Sequence, residues 1–301
     1  MKKALLRFFF VFIVLDSHAQ NLDSMYQCLD KAIAHSSIYM ATKNKKIEKL
    51  KNEYRSTRNS IRRYDAGIRI YEEYHALMND SAISYLNKCI QIAENLHRND
   101  LKLKAYVMIA HQFAVSGFYT EAQFYYHQIN KDEIKGSLLI DYYFGLSQLY
   151  GDMAFYASDE KMKQIYFKES DGYRQQLYKM LDPHSTLYLR QKSVQLCYEK
   201  RYKESLSYND LWMKKVKPGT HEYAIMAFFR SEIYKNTKDV NMQKYWLCES
   251  ALSDIKCSVM DQSSLWGLAD LGNGDGDVER SYRYIQYSWS CISTFSTHMR
   301  G

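Results

Sequence analysis

The chain is poor in the residues that interrupt helices. Pro183 and Pro218 are its only prolines in 301 residues, and there are 12 glycines. No hairpin dipeptide separates two alternating apolar runs, so the usual signals of a meander or sandwich are missing. From Gln20 to Gly301 no apolar run reaches 18 residues, which excludes a sequence-evident membrane span in that stretch. The chain also lacks CxxC, HExxH, GxSxG, GxGxxG and GxxxxGK[ST], and no two histidines stand four apart. Zinc, phosphate-loop and hydrolase readings therefore have no local support, no cofactor is implied, and the chain does not read as an enzyme.

Charge is close to ordinary. The formal net charge is +7, or about +5 once Lys2, Lys3, Arg7 and Asp16 are set aside with the leader described next. Six cysteines (Cys28, Cys89, Cys197, Cys248, Cys257 and Cys291) are scattered. Cys89 and Cys197 fall in apolar helical patterns, where a small buried hydrophobe is the common role. Mostly free, buried thiols are expected, with Cys248 and Cys257 the first pair to examine for a bridge.

What is present begins with a leader. Lys2, Lys3 and Arg7 precede the apolar run "FFFVFIVL", and Ser17-His18-Ala19 puts small residues at −3 and −1, so residues 1–19 read as a signal peptide. The run is too short to span a bilayer. No cysteine stands at the cleavage point, so no lipid anchor is indicated. The expected location is exported and periplasmic.

The 28 tyrosines then need a structural explanation. In residues 106 to 129, Tyr106, Ile109, Ala110 and Phe113 fall at helical spacing. Gly117 and Tyr119 follow, and Ala122, Tyr126 and Ile129 make a second stripe. This is the tetratricopeptide (TPR) grammar: a small residue lets two helices touch and a glycine ends the first of them. The same grammar places Ala82, Ser205 and Ser281 at the small position and Gly276 at a turn, with degenerate copies at Gln164 and Gln243. The six anchors step by about 38–42 residues. That exceeds the 34-residue TPR period, so longer first helices are expected. The fold expected is all-α: a right-handed α-α superhelix of TPR-like pairs, about fourteen helices, with six pairs after an N-terminal segment. Residues 20–60 form that segment and residues 61–301 the repeat domain. Tyrosine suits such layers because its ring packs while its hydroxyl stays wet at the rim. An aromatic ligand site, if present, is expected on the first helices near Tyr142, Tyr143 and Tyr150, facing the concave side.

In the N-terminal segment, residues 21–34 and 39–58 read as two helices. Met40, Ile47, Leu50, Tyr54 and Ile61 form a narrow stripe. Between Lys43 and Arg63, nine basic residues face Glu48 and Glu53, either as a solvated helix face or as a contact for an acidic partner or lipid headgroups. "NGDGDVER" fails as a calcium loop, because Val278 and Tyr284 stand where the loop needs Gly and Glu. It reads instead as a turn with Asp277 capping the next helix. No nucleic-acid motif accompanies the basic stretch.

Several segments together resemble a family of uncharacterised exported TPR-type proteins from Bacteroidetes. They include "LDSMYQCLDKAIAHSSIYMATKNKKIEKLK", "NDSAISYLNKCIQIAENL", "GFYTEA", "KPGTHEYAIMAFFRSEIY", "YWLCESALSDIKCSVMDQSSLWGLADL" and "GDVERSYRYIQYSW". The resemblance implies a periplasmic helical-repeat sensor that is followed, in such proteins, by a transmembrane helix, a cytoplasmic coiled coil and often a DNA-binding region. It implies a sensor module for an unknown peptide, protein or glycan-derived ligand. The alternative is a soluble exported enzyme or glycan-binding accessory protein on the same scaffold. Trp289, Ile292 and Phe295 form a last stripe with no following helix. This leads to the expectation that the natural protein continues past Gly301, and that the final helix is a self-associating edge.

Overall fold

The computed structural model describes residues 22–297, with side chains placed up to residue 290. The leader, with its cleavage site, lies outside the described residues, as do the side chains of Ile292 and Phe295. Fourteen α-helices, α1–α14, and one 3-10 turn make up the described residues, and no strand occurs among them. Residues 22–34 form α1, followed by α2 (Ser36–Ser56). Six pairs follow: α3 (Ser60–Tyr74) with α4 (Asn79–Asn95), α5 (Asn99–Val115) with α6 (Tyr119–His127), and α7 (Ser137–Tyr156) with α8 (Glu160–Met180). Then come α9 (Thr186–Tyr198) with α10 (Tyr202–Met213), α11 (His221–Asn236) with α12 (Val240–Cys257), and α13 (Ser263–Gly274) with α14 (Val278–Thr297). The fold is a TPR-like helical repeat.

The turns show why the pairs recur. Gly117, Lys200, Lys238 and Gly276 all adopt positive φ between the two helices of a pair. In each, the next backbone N–H reaches five residues back: Phe118 to Phe113, Arg201 to Leu196, Asp239 to Tyr234 and Asp277 to Gly272, at 2.8–3.0 Å. This is the Schellman closure, which satisfies carbonyls that a helix end leaves free. The next helix then starts on a side-chain cap in two of these turns. Asp239 accepts from Met242 N at 3.1 Å and Asp277 from Arg280 N at 3.2 Å.

Small residues let the paired helices approach. Ala82 and Ala122 are wholly buried, as is Ser205, whose hydroxyl donates to Ser193 O at 2.7 Å while Ser193 Oγ donates back to Ser205 O at 3.1 Å. Ser250 Oγ reaches Ala224 O at 2.9 Å, and a Cβ on Gly272 would lie 2.6 Å from Ser281 Oγ. Gln243 is buried, but Gln164 is exposed, so the anchor proposed there is displaced. In the α7–α8 pair the contact is made by Ser170, whose hydroxyl donates to Ser147 O at 2.7 Å, with Gly151 leaving room for it. Here α8 begins at Glu160 and runs 21 residues, carrying the contact point later in the sequence. Extra length is not confined to first helices either: α8, α12 and α14 have 21, 18 and 20 residues, against 20, 16 and 12 for their partners α7, α11 and α13. Buried positions from Gln243 to Ile255 run nearly the whole of α12, so that helix is held along its full length.

The chain divides into two compact units: one is Asn44–Pro183, the other joins the N-terminal residues up to Lys43 with His184 onward. The division falls inside α2 and at Pro183. In the first unit Leu103, Val107, Ala110, Ala122, Tyr126, Leu146 and Leu149 form one core cluster. In the other, α1 packs Tyr26, Leu29 and Ala32 against Leu247, Cys248, Ala251, Leu265, Leu268 and Tyr284. Arg283 pairs with Asp30 at 2.9 Å, and the Arg280 guanidinium lies 4.0 Å from the Tyr26 ring centre. The inner face of the last helix, with Ser281, Tyr284 and Ser288 buried, is therefore covered by α1. The stripe expected to lie uncovered is another face of this helix: Trp289 is exposed, and the side chains of Ile292 and Phe295 lie outside the described residues.

Candidate functional site

The α7–α8 seam gathers five half-buried tyrosines. Tyr142, Tyr143 and Tyr150 of α7 are all half-buried, and α8 brings Tyr166 and Tyr173 against them. Tyr143 lies 6.3 Å from Tyr173, Tyr150 lies 6.2 Å from Tyr166, and Tyr150 stacks on Tyr173 at 5.7 Å with a 23° interplanar angle. Tyr142 stands edge-on to the buried Tyr126 at 5.7 Å and to Tyr143 at 5.6 Å, so it ties the seam to the core. Burial, then the neighbouring Tyr150 and Tyr142 hydroxyls, push the Tyr173 phenol up to about 12; burial raises Tyr142 as well. The Tyr142 and Tyr173 hydroxyls are therefore neutral donors at physiological pH.

The three tyrosines singled out on α7 are thus brought together, but as one wall of a two-helix seam. Tyr166 and Tyr173 were missed. A signal for them exists: Tyr143 and Tyr150 are seven apart on one helix, Tyr166 and Tyr173 seven apart on the next. In an antiparallel pair, such spacings face each other across two turns.

Other candidates resolve into structure. Cys28, Cys89, Cys197, Cys248 and Cys257 are free thiols. Cys248 and Cys257 cannot bridge because both belong to α12, where nine residues separate them by about 13 Å along the axis, against a disulfide Cα reach of about 7 Å. Cys257 Sγ donates instead to Ser253 O at 2.9 Å, and burial pushes its thiol up to about 11. Among the described residues no group of three or more His, Cys, Asp and Glu side chains could hold a metal ion. Asp275–Asp277 forms the α13–α14 turn, while Gly272, Asn273 and Gly274, which the sequence pattern assigns to the turn, belong to α13.

The basic run is partly neutralised within its own unit. Lys46 pairs with Glu73 at 2.5 Å, Lys51 with Glu48 at 2.7 Å and Arg69 with Glu53 at 2.8 Å, while Ile47 and Leu50 turn inward. Arg230 is a buried structural cation: it donates to Asn209 and Asp210 at 2.9 and 2.6 Å and lies 4.7 Å from the Trp246 ring. On α14, Tyr282 and Trp289 remain exposed. No helix of the described residues is long and apolar enough to cross a membrane.

Comparison with known proteins bears on this arrangement. The model of the SusR N-terminal TPR domain matches residues 33–301. Among solved structures, one of a Rap protein complexed with Competence and Sporulation Factor superposes with a TM-score of 0.55 at 12% identity, over 91% of this chain and 76% of that one. No curated protein sequence matches.

Proposed function

Since the chain belongs to the family of SusR N-terminal TPR domains, we propose that it is a non-catalytic binding and sensing module that takes a peptide or protein segment. It works in the periplasm as the ligand-facing part of a membrane-anchored regulator. The observation that carries the reading is the α7–α8 seam, where four tyrosines from two helices meet ring to ring in a half-exposed surface with phenol hydroxyls at its edge. Rigid aromatic area with a polar rim binds at low entropic cost. Helix-pair repeats present such surfaces as a matter of course, and the similarly folded Rap protein is held in complex with Competence and Sporulation Factor.

The test is a thermal-shift screen of residues 20–301 against peptide and oligosaccharide libraries, followed by titration. A ligand that stabilises the protein is expected to lose about 1–3 kcal/mol of binding in Tyr173→Ala, the cost of one buried aromatic contact. Stabilisation by oligosaccharides alone would replace the peptide with a glycan. Turnover of any ligand would overturn the non-catalytic reading. Export is checked by release on osmotic shock of a protein that begins at Gln20.

A further inference from the structure

A second surface in the Asn44–Pro183 unit has a different chemistry. Where α5 and α7 end, an open cleft of about 430 Å³ is lined by Val115, Ser116 and Gly117 on one side and by Tyr119, Asp152 and Tyr156 around the other. Asp152 lies in the last turns of α7, half-buried, and its carboxylate forms no hydrogen bond or ion pair among the described residues. Burial raises its pKa. The Tyr119 phenol is raised too, first by burial and then by Asp152 and Tyr156, which places the three groups around one space.

The charged side chains lining the cleft are of one sign, although α6 begins at Tyr119 and brings one helix N-terminus to it. Both α5 and α7 point their C-terminal ends here, and neither has a basic residue in its last turn. Two helix C-termini, each carrying partial negative charge, and one carboxylate therefore share the cleft without a cation. Phenol rings add their negative faces, which attract ammonium groups within about 6 Å. The rim is apolar at two lining residues: Val115 is 52% exposed and Tyr156 72%. At Gly117, with φ +80°, nothing stands within 4 Å of where a side chain would begin, so this side of the cleft is open to solvent. A single carboxylate is too poor a donor set for a metal ion.

We propose that this cleft binds the lysine side chain of a peptide, its ammonium held by Asp152, Tyr119 and Tyr156 and its aliphatic stem laid on the apolar rim. Lysine suits the site because its charge is compact and its four-carbon stem is flexible. The inference rests on the binding reading above for the ligand's being a peptide, and on the cleft alone for the basic residue.

The experiment compares acetyl-Leu-Lys-Leu-amide with the same tripeptide carrying norleucine, which keeps the stem and removes the ammonium. Calorimetric or NMR titration of residues 20–301 is expected to show the lysine peptide binding at least tenfold more tightly. Asp152→Asn should abolish that preference. It should also melt higher than the parent above pH 6, because an unpaired, desolvated carboxylate opposes folding and its amide does not. That second readout separates a lost site from a lost fold. Equal affinity for the two tripeptides, no binding of either at millimolar concentration, or a lysine preference that survives in Asp152→Asn would overturn the proposal. Equal affinities that fall in Tyr173→Ala would leave the general peptide reading intact. A lysine preference unaffected by Tyr173→Ala would place binding in the cleft alone.

Discussion

Lys200 and Lys238 adopt φ of 61° and 62°, in turns where the corresponding residues Gly117 and Gly276 sit at 80° and 84°. An L side chain in the left-handed region costs roughly 1–2 kcal/mol, which glycine avoids. Glycine in turn gives the unfolded chain extra freedom worth about 0.4–1 kcal/mol. The balance favours glycine. Lys238→Gly and Lys200→Gly are each expected to stabilise the protein by about 0.5–1 kcal/mol, read as higher urea midpoints, while Gly276→Ala should lower the midpoint. A loss of stability in both lysine variants would mean that the ammonium stems contribute more than the backbone strain. These positions explain an illegible part of the sequence. The turns at Gly117 and Gly276 could be read because glycine announces positive φ. At Lys200 and Lys238 the same backbone is held by the Schellman bonds alone, and nothing in lysine's chemistry signals it.

At the scale of the helix, the pairing was legible and the partners at the ends were not. Apolar stripes and small residues at Ala82, Ala122, Ser205 and Ser281 identify helices that touch, because close approach demands a small side chain whatever the neighbours are. Ser170 escaped notice because Gln164 occupies the expected step in sequence, while the real contact depends on how far α8 runs. Tyr173, in "DGYRQQ", acquires meaning only through its spacing from Tyr166 and the matched pair on α7. The contact of α1 with α12–α14 joins residues more than 200 apart, and no periodicity within either segment records it. It has a direct consequence. Leu29 is fully buried against Leu265, Leu268 and their neighbours. Leu29→Ala is expected to cost about 2–5 kcal/mol, and amide exchange should accelerate most in α12, α13 and α14, with less change in Asn44–Pro183. Uniform acceleration throughout the chain would show that the two units open together.

Over the whole molecule, the described carboxylates whose pKa is displaced form two sets with opposite linkage to folding. Glu48, Asp100 and Glu204 are lowered, chiefly by hydrogen bonds from Lys51, Arg98 and Arg201, but all three are at the surface, where solvent screens the gain. Asp141, Asp152, Glu249 and Asp254 are raised, in every case first by burial. Asp254 is pushed up to about 6, despite the 2.7 Å contact with His221 Nδ1 that pulls it down. A carboxyl raised in the folded state contributes stability that is fully present below its unfolded pKa, near 4, and is lost as pH rises through its folded value. The raised set therefore favours mild acid over neutrality, with Asp254 setting a window from about pH 4 to about pH 6, and the lowered set opposes it only weakly. The protein is expected to show a higher urea midpoint at pH 4.5 than at pH 7.5. Asp254→Asn, whose amide can still accept from the imidazole, should shrink that difference mainly by stabilising the neutral-pH form. Midpoints that are equal at the two pH values, or higher at 7.5, would mean that the surface ion pairs outweigh four desolvated carboxylates. In that case the unpaired Asp152 would be no more costly to the fold than an ordinary surface residue.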